Sequence, residues 1–190
     1  MSKNVRRLAE TAMLIAVGTL LSLIKIDMPM GGGVTVVSML PLIIISHRYG
    51  WKWGGFAAFV YSIIQMLLGL DNVRYATSAV MAAGIILLDY IIAYTVIGFS
   101  SATRTVIKNE RAALAAGIAI TFILRFLCHF ITGAWIWNAL WPNEFGMAAT
   151  VYSAAYNGWY MGAELIITEI AAMALFKPLN KYFVYQDVSE

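Results

Sequence analysis

At 190 residues, 61% hydrophobic and only 12% charged, the chain carries more apolar surface than a water-soluble domain of its size can hide. The net charge of +3 does not mark a nucleic-acid binder, because the basic residues lie in short clusters between long apolar runs. The expected fold class is an all-α membrane protein. It is read as a single integral membrane domain over 1–190, with no Pro/Ser-rich linker, charge block, low-complexity tract or internal repeat.

The amino-terminal MSKNVRRLAE runs straight into an apolar segment, and no small-residue cleavage site follows. A first span at about 5–26 is therefore expected, not a removed signal peptide. Pro29 and Gly31, Gly32 and Gly33 end it. A second span at 35–49 is short against the about 20 residues a crossing helix needs, so tilting or partial shielding is expected. Tyr49 and Gly50 lead into a third span at 51–69, which Gly69, Asp71 and Asn72 close. Further spans are expected at 76–100, 112–137 and 150–176, with Trp141, Pro142 and Asn143 breaking the chain after the fifth. The result is a six-helix transmembrane bundle.

Orientation follows from lysine and arginine. Lys3, Arg6, Arg7, Arg48, Lys52, Arg104, Lys108, Arg111, Lys177 and Lys181 fall on one side, and Lys25 and Arg74 on the other. The positive-inside rule then places both termini in the cytoplasm. Trp51 and Trp53 fall at the inner interface; Trp135, Trp137 and Trp141 cluster near the outer one.

Polar groups within the spans mark candidate functional residues. Arg125 is basic and mid-span; Glu10, Asp89, Glu164 and Glu169 are acidic, and Glu10 lies near enough to the inner end to reach headgroups. At about 1.5 Å per residue, Arg125 lies roughly 18 Å inward from Trp137, Glu164 roughly 18 Å from Tyr152 and Asp89 roughly 20 Å from Ala76. The three share a level on three helices, with His129 and Asn157 above them. Arg125, His129, Gly133 and Trp137 recur at i, i+4, i+8 and i+12, and Asn157, Met161 and Glu164 share a face of the last span. Gly133 removes a side chain from its stripe and lets another group approach the backbone. An Arg125–Glu164 pair is expected as helix–helix support, while His129 and Asn157 fit either such support or a ligand pocket. One arginine against two deep carboxylates leaves a negative charge unmatched, unless one acid holds a proton or a cation arrives from outside. Tryptophan and tyrosine faces would add cation–π attraction of about 0.5–2 kcal/mol.

The segments VRRLAETAMLIA, MPMGGGVTVVSMLPL, LLDYIIAY, RFLCHFITGAWIW and YSAAYNGWYMGAE, in this order and spacing, resemble the thiamine-specific substrate-binding component of energy-coupling-factor (ECF) vitamin transporters. The resemblance implies a thiamine pocket near the outer face, closed by the first loop. It implies that Asp89 supplies the site's carboxylate and Tyr90 a pocket tyrosine. By the same resemblance His129, Gly133 and Trp137 form the fifth-helix signature with the indole stacked on a ligand ring, and Tyr152 and Asn157 read the aminopyrimidine. A carboxylate, imidazole, phenol and carboxamide match the donors and acceptors of that ring. Some relatives carry a tryptophan in the first loop; here the loop has none, and Met28 or Met30 is expected to pack in its place. Arg125 is expected to support Glu164. The resemblance also implies docking on a shared transmembrane subunit coupled to two ATPases, with Ala9, Ala12 and Ala16 on the first helix as the contact face; packing within the bundle is the other use of such a face.

No GxxxxGK[ST] phosphate loop occurs in the sequence, and neither HExxH nor GxSxG, so ATP chemistry and intramembrane hydrolysis are not expected of this chain. No cofactor and no metal site is expected. The expected surroundings are a prokaryotic plasma membrane and its lipid. The other readings are a component for another vitamin or a thiamine precursor, and a self-sufficient proton-coupled carrier working through Asp89 or Glu164. An anionic vitamin would want more than one spare basic group on the outer side, beyond what Lys25 and Arg74 offer.

Overall fold

The computed structural model describes residues 2–28 and 32–183. Ser2 caps the first helix, α1 (Lys3–Ser22), accepting from the Val5 amide. Thr11, Ile15, Gly18 and Ser22 form its buried face. A hairpin follows, β1 (Lys25–Asp27) antiparallel to β2 (Gly33–Thr35), with Lys25 opposite Thr35 and Asp27 opposite Gly33. The remaining long helices are α2 (Leu40–Tyr49), α3 (Trp51–Leu68), α4 (Ala79–Thr105), α5 (Glu110–Leu140) and α6 (Ala149–Phe176). Single turns at Leu70–Val73 and Asn180–Phe183 complete the path. By length and composition, α4, α5 and α6 are long and apolar enough to cross a membrane.

The polarity of the bundle is reversed relative to a soluble protein. On α5 the buried face includes Thr121, Arg125 and Thr132, while Ile120, Ile123, Leu124, Leu127 and Ile131 are exposed. Leu8, Met13, Leu20, Phe56, Leu67, Ile166 and Ile170 extend this apolar exterior over α1, α3 and α6. Such a surface is unfavourable in water and neutral against lipid tails, so the chain is a membrane protein.

The first expected span stops short, at Ser22, because Lys25–Asp27 pairs as a strand. The second, expected at 35–49, is corrected more strongly. Thr35 ends β2, Val37 turns with φ 48°, and the helix begins only at Leu40, with Pro41 in the first turn where its missing N–H costs least. Its 10 residues reach about 15 Å, half the hydrocarbon thickness. All are buried, including His47 and Arg48. α2 is a core pillar enclosed by its neighbours, which accounts for an apolar run too short to cross alone.

Arg48, counted from the sequence among the inner-side charges, is 1% exposed. Its Nε donates to Glu10 Oε2 at 2.7 Å and its Nη1 to the Lys181 carbonyl at 2.7 Å. Glu10 thus ties α1 to α2 through Arg48, which also holds the final helical turn, while its Oε1 accepts from the exposed Arg6 at 2.9 Å.

At the opposite end of the bundle, two helices change pitch. α4 is a π-helix over Ile85–Ile92 and α5 over Gly133–Trp137. A π turn is wider, so four residues advance less than in an α-helix, and each widened turn redirects its side chains; such segments recur at functional sites. Asp89 and Tyr90 lie in the first, Gly133 and Trp137 in the second.

Candidate solute-binding site

Between the hairpin and the ends of α3–α6 lies a cavity of about 620 Å³. Asp89, Tyr90, Arg125, His129, Gly133, Trp137, Tyr152 and Asn157, singled out from the sequence on three different helices, all line it. Glu164 is not among the lining residues; it is 1% exposed and pairs with Arg125. Met28 is also not among them: it closes the hairpin turn, its amide donating to Gly32 O at 3.0 Å. Met30 lies outside the described residues.

The Asp89 carboxylate is the focus of the polar wall. Trp137 Nε1 donates to Oδ2 at 2.8 Å, and the Thr132 hydroxyl donates to Oδ1. His129 Nδ1 sits 3.0 Å from Oδ1. An ionised carboxylate only accepts, so Nδ1 carries a hydrogen in this arrangement. The other ring nitrogen, Nε2, is buried and has no partner among the described residues. In a neutral imidazole it offers a lone pair to a donor arriving in the cavity.

The second acid has its own counter-charge. Glu164 Oε2 accepts from Arg125 Nη1, and Oε1 from both the Thr35 amide, at 3.3 Å, and the Thr35 hydroxyl. The Arg125 guanidinium carbon also stands 5.1 Å over the Tyr94 ring. Arg125 is thereby neutralised by Glu164. Hydrogen bonds from Trp137 and Thr132 satisfy the oxygens of Asp89, but they do not cancel its charge. With both acids ionised and His129 neutral, the unmatched negative charge falls on Asp89, 7% exposed, at the cavity wall.

Aromatic rings enclose this charge. Trp137 and Trp141 stack at 5.7 Å between centroids and 14° between planes, and both line the cavity. Tyr152, Tyr156 and Tyr160 step along α6 with centroids 5.9 and 5.7 Å apart. Trp137 was expected to stack on a ligand ring; here it is also paired with Trp141 and holds Asp89 through its N–H. A strict α-helix would carry this indole about 80° round the axis from His129, eight residues earlier, and the widened turn at Gly133–Trp137 reduces that drift.

Two expected roles change in detail. Gly133 does admit a close neighbour, but the neighbour is α6. A Cβ on Gly133 would run into Ser153 Oγ and come within 3.0 Å of Asn157 Nδ2. Asn157 does not bond the His129 ring. Its Nδ2 donates to the His129 carbonyl at 3.2 Å and to Ser153 O at 2.9 Å, and its Oδ1 accepts from the Tyr160 hydroxyl at 3.1 Å. Tyr90 braces the wall similarly: its hydroxyl donates to Gly69 O at 3.0 Å and accepts from Asn72 Nδ2 at 2.7 Å.

Sequence reasoning missed Thr132, Tyr94, Tyr160, Gln65 and Lys25, all of which line the cavity. For Tyr94 and Tyr160 a signal existed. Tyr94 follows Tyr90 by four residues, and Tyr160 follows Asn157 by three, so helical spacing places each on a face already under suspicion. Thr132 follows Cys128 by four and looks like an ordinary small polar residue. Only the fold brings it to Asp89.

Residues 8–184 match the sequence model of a family described as thiamine transporter protein. The chain is 32% identical to the thiamine transporter ThiT of Bacillus subtilis over 187 residues, covering 92% of each chain. It is 26% identical to that of Lacticaseibacillus paracasei over 194 residues, covering 94% of this chain and 90% of the relative. The solved structure of ThiT from Listeria monocytogenes superposes with a TM-score of 0.76 at 24% identity, over 96% of this chain and 100% of the other. That superposition speaks for the fold alone.

Proposed function

The chain belongs to the thiamine transporter protein family, a family of transporters and not of enzymes, and on that premise we propose that it captures thiamine from outside the cell in the cavity beneath the hairpin. The observation that carries this is the Asp89 carboxylate, paired with no lysine or arginine among the described residues, within an aromatic wall. Thiamine joins a permanently cationic thiazolium to an aminopyrimidine. The thiazolium charge offsets Asp89 and gains from the indole and phenol faces. The aminopyrimidine amine is a donor for the unpartnered His129 Nε2. Asn157, Tyr152 and Gly133 set the spacing of α5 and α6 that defines the ring slot, and Tyr90 fixes the α4 wall. The Arg125–Glu164 pair supports the floor. Met28, in the loop that lacks an aromatic residue, supplies the softer cover.

Six membrane crossings with both termini in the cytoplasm, in a prokaryotic plasma membrane, belong to the same proposal. The lysine and arginine bias supports it, and α2 then crosses only as part of a shielded core. The chain carries no phosphate-binding loop, so import energy comes from elsewhere. The proposed source is a shared ECF transmembrane subunit with two ATPases. Ala9, Ala12 and Ala16 are exposed on α1, on the side away from its buried Thr11, Ile15 and Gly18. Their exposure supports close approach by another helix over packing within the bundle.

The test is a titration of purified protein with thiamine, riboflavin and biotin, followed by tryptophan fluorescence. Trp137 and Trp141 line the cavity, so thiamine alone is expected to quench. Saturable quenching by riboflavin or biotin, with none by thiamine, contradicts the proposal.

A further inference from the structure

A threonine inside a helix ordinarily gives its hydroxyl hydrogen to the carbonyl three or four residues back. Thr132 has both near it, the His129 carbonyl at 3.1 Å and the Cys128 carbonyl at 3.3 Å. Its hydroxyl also meets Asp89 Oδ1, across from α5 to α4. One hydrogen must go to one of the three. The His129 carbonyl is already filled, because the Gly133 amide and Asn157 Nδ2, the latter at 3.2 Å, both donate to it and a carbonyl has two lone pairs. The Cys128 carbonyl lies beyond the usual reach of a hydroxyl donor. A charged acceptor makes a bond about twice as strong as a neutral one. The Thr132 hydrogen therefore goes to Asp89, and Asn157 helps to leave it free for that use.

A carboxylate turns readily about its last bond, a broad two-fold torsion, so a single donor does not fix its plane. On Asp89, Trp137 Nε1 holds Oδ2, and His129 Nδ1 and Thr132 share Oδ1. Two of these three donors belong to the wall a solute meets: the His129 side chain is 15% exposed and Trp137 is half-buried. Both can follow a ring that packs against them. Thr132 is 0% exposed and borders the cavity without presenting surface to a solute. Its branched Cβ also restricts its rotation. Of the three, it is the donor whose place no solute disturbs.

We propose that Thr132 is a specificity-determining positioning residue for this cavity. By holding Oδ1 against the pull of Trp137 on Oδ2, it keeps the Asp89 carboxylate in one plane, and with it the site's preference for a cationic solute over a neutral one. Thr132 acts through Asp89 and touches no solute itself. The inference deepens the proposed function and rests on it wherever thiamine is the probe.

Calorimetry with thiamine and with a neutral aminopyrimidine lacking the thiazolium tests it in Thr132→Val and Thr132→Ser, and in Thr132→Val combined with Asp89→Asn. Valine keeps the shape of threonine and loses the hydrogen bond; serine keeps the bond. Thr132→Val is expected to lower thiamine affinity at least tenfold and affinity for the neutral ring less than threefold. Thr132→Ser should bind thiamine within threefold of the parent. Added to Asp89→Asn, Thr132→Val should change thiamine affinity less than threefold, because the charge it positions is gone. In the unliganded protein, the indole N–H resonance of Trp137, identified by its absence from Trp137→Phe, should move upfield in Thr132→Val and stay in place in Thr132→Ser, since a carboxylate free to turn leaves that N–H. Thiamine affinity in Thr132→Val within threefold of the parent overturns the proposal, as does an equal loss for both ligands. A full loss in the Asp89→Asn background, Thr132→Ser behaving like Thr132→Val, or an unmoved Trp137 resonance in Thr132→Val also overturns it. If the resonance follows the expected pattern but the parent binds no thiamine, the positioning role stands and the thiamine proposal falls.

Discussion

Replacing Glu164 with leucine strands two sets of donors at once. Its carboxylate and the Arg125 side chain are 1% and 6% exposed, so neither reaches water. Removing one partner of such a pair costs about 3–5 kcal/mol, because the other charge stays buried without compensation. The Thr35 amide also loses its acceptor, at about 1–3 kcal/mol. The sum, about 4–8 kcal/mol, is a large part of the 5–15 kcal/mol that usually separates folded from unfolded chains. At about 2–4 °C per kcal/mol for a chain of this size, the apparent Tm should fall by roughly 10–30 °C. Thermal unfolding in detergent, read as loss of the monodisperse peak after heating, measures it. The double variant Arg125→Leu/Glu164→Leu removes both charges and should regain more than half of the loss, since an apolar pair of similar volume replaces an ion pair at little cost. A Glu164→Leu protein melting within 3 °C of the parent refutes the assignment of Arg125 and Glu164 as mutual neutralisers, and with it the isolation of Asp89 as the surplus charge.

Other substitutions probe the cavity walls. Gly133→Ala places a Cβ against Ser153 Oγ; it should lower thiamine affinity at least tenfold in a fluorescence titration, with part of the loss regained in Gly133→Ala/Ser153→Ala. Trp137→Phe keeps a ring but deletes the 2.8 Å hydrogen bond to Asp89, a charge-assisted bond of about 1.5–3 kcal/mol, so thiamine should bind roughly 10- to 100-fold more weakly by calorimetry. Ala12→Trp, on the exposed face of α1, should leave thiamine binding by the purified chain within twofold of the parent and abolish uptake in cells carrying the proposed ECF subunits.

Much of this architecture was legible in the residues. Long apolar runs located α3 to α6 because lipid demands them, and spacing by fours put Arg125, His129, Gly133 and Trp137 on one face. The Arg125–Glu164 pair followed from depth and helical face together. What escaped was set by tertiary contact. Lys25–Asp27 is too short a segment to announce a strand; it pairs because Gly33–Thr35 is held against α6. The fifteen-residue run at 35–49 looked like a weak span, whereas Thr35 was drawn out of it by a carboxylate 129 residues away. Gly133 signalled close approach without saying of what, and the approaching group proved to be Ser153. Nor does one-dimensional order show that Trp137 and Thr132 converge on Asp89, since pitch changes in α4 and α5 bring them there. Lys25 and Arg74 were read as a minor outer-side charge; Lys25 in fact borders the cavity, while Arg74 pairs with Asp71 at 2.9 Å on the surface.

The central claim is that Asp89 recognises positive charge in the bound solute. Calorimetry on the parent and on Asp89→Asn, with thiamine and with a neutral aminopyrimidine lacking the thiazolium, tests it most directly. Thiamine affinity is expected to fall at least thirtyfold, about 2 kcal/mol, while the weak affinity for the neutral ring changes less than threefold. Equal thiamine affinity in parent and Asp89→Asn, or an equal loss for both ligands, contradicts charge recognition at this carboxylate.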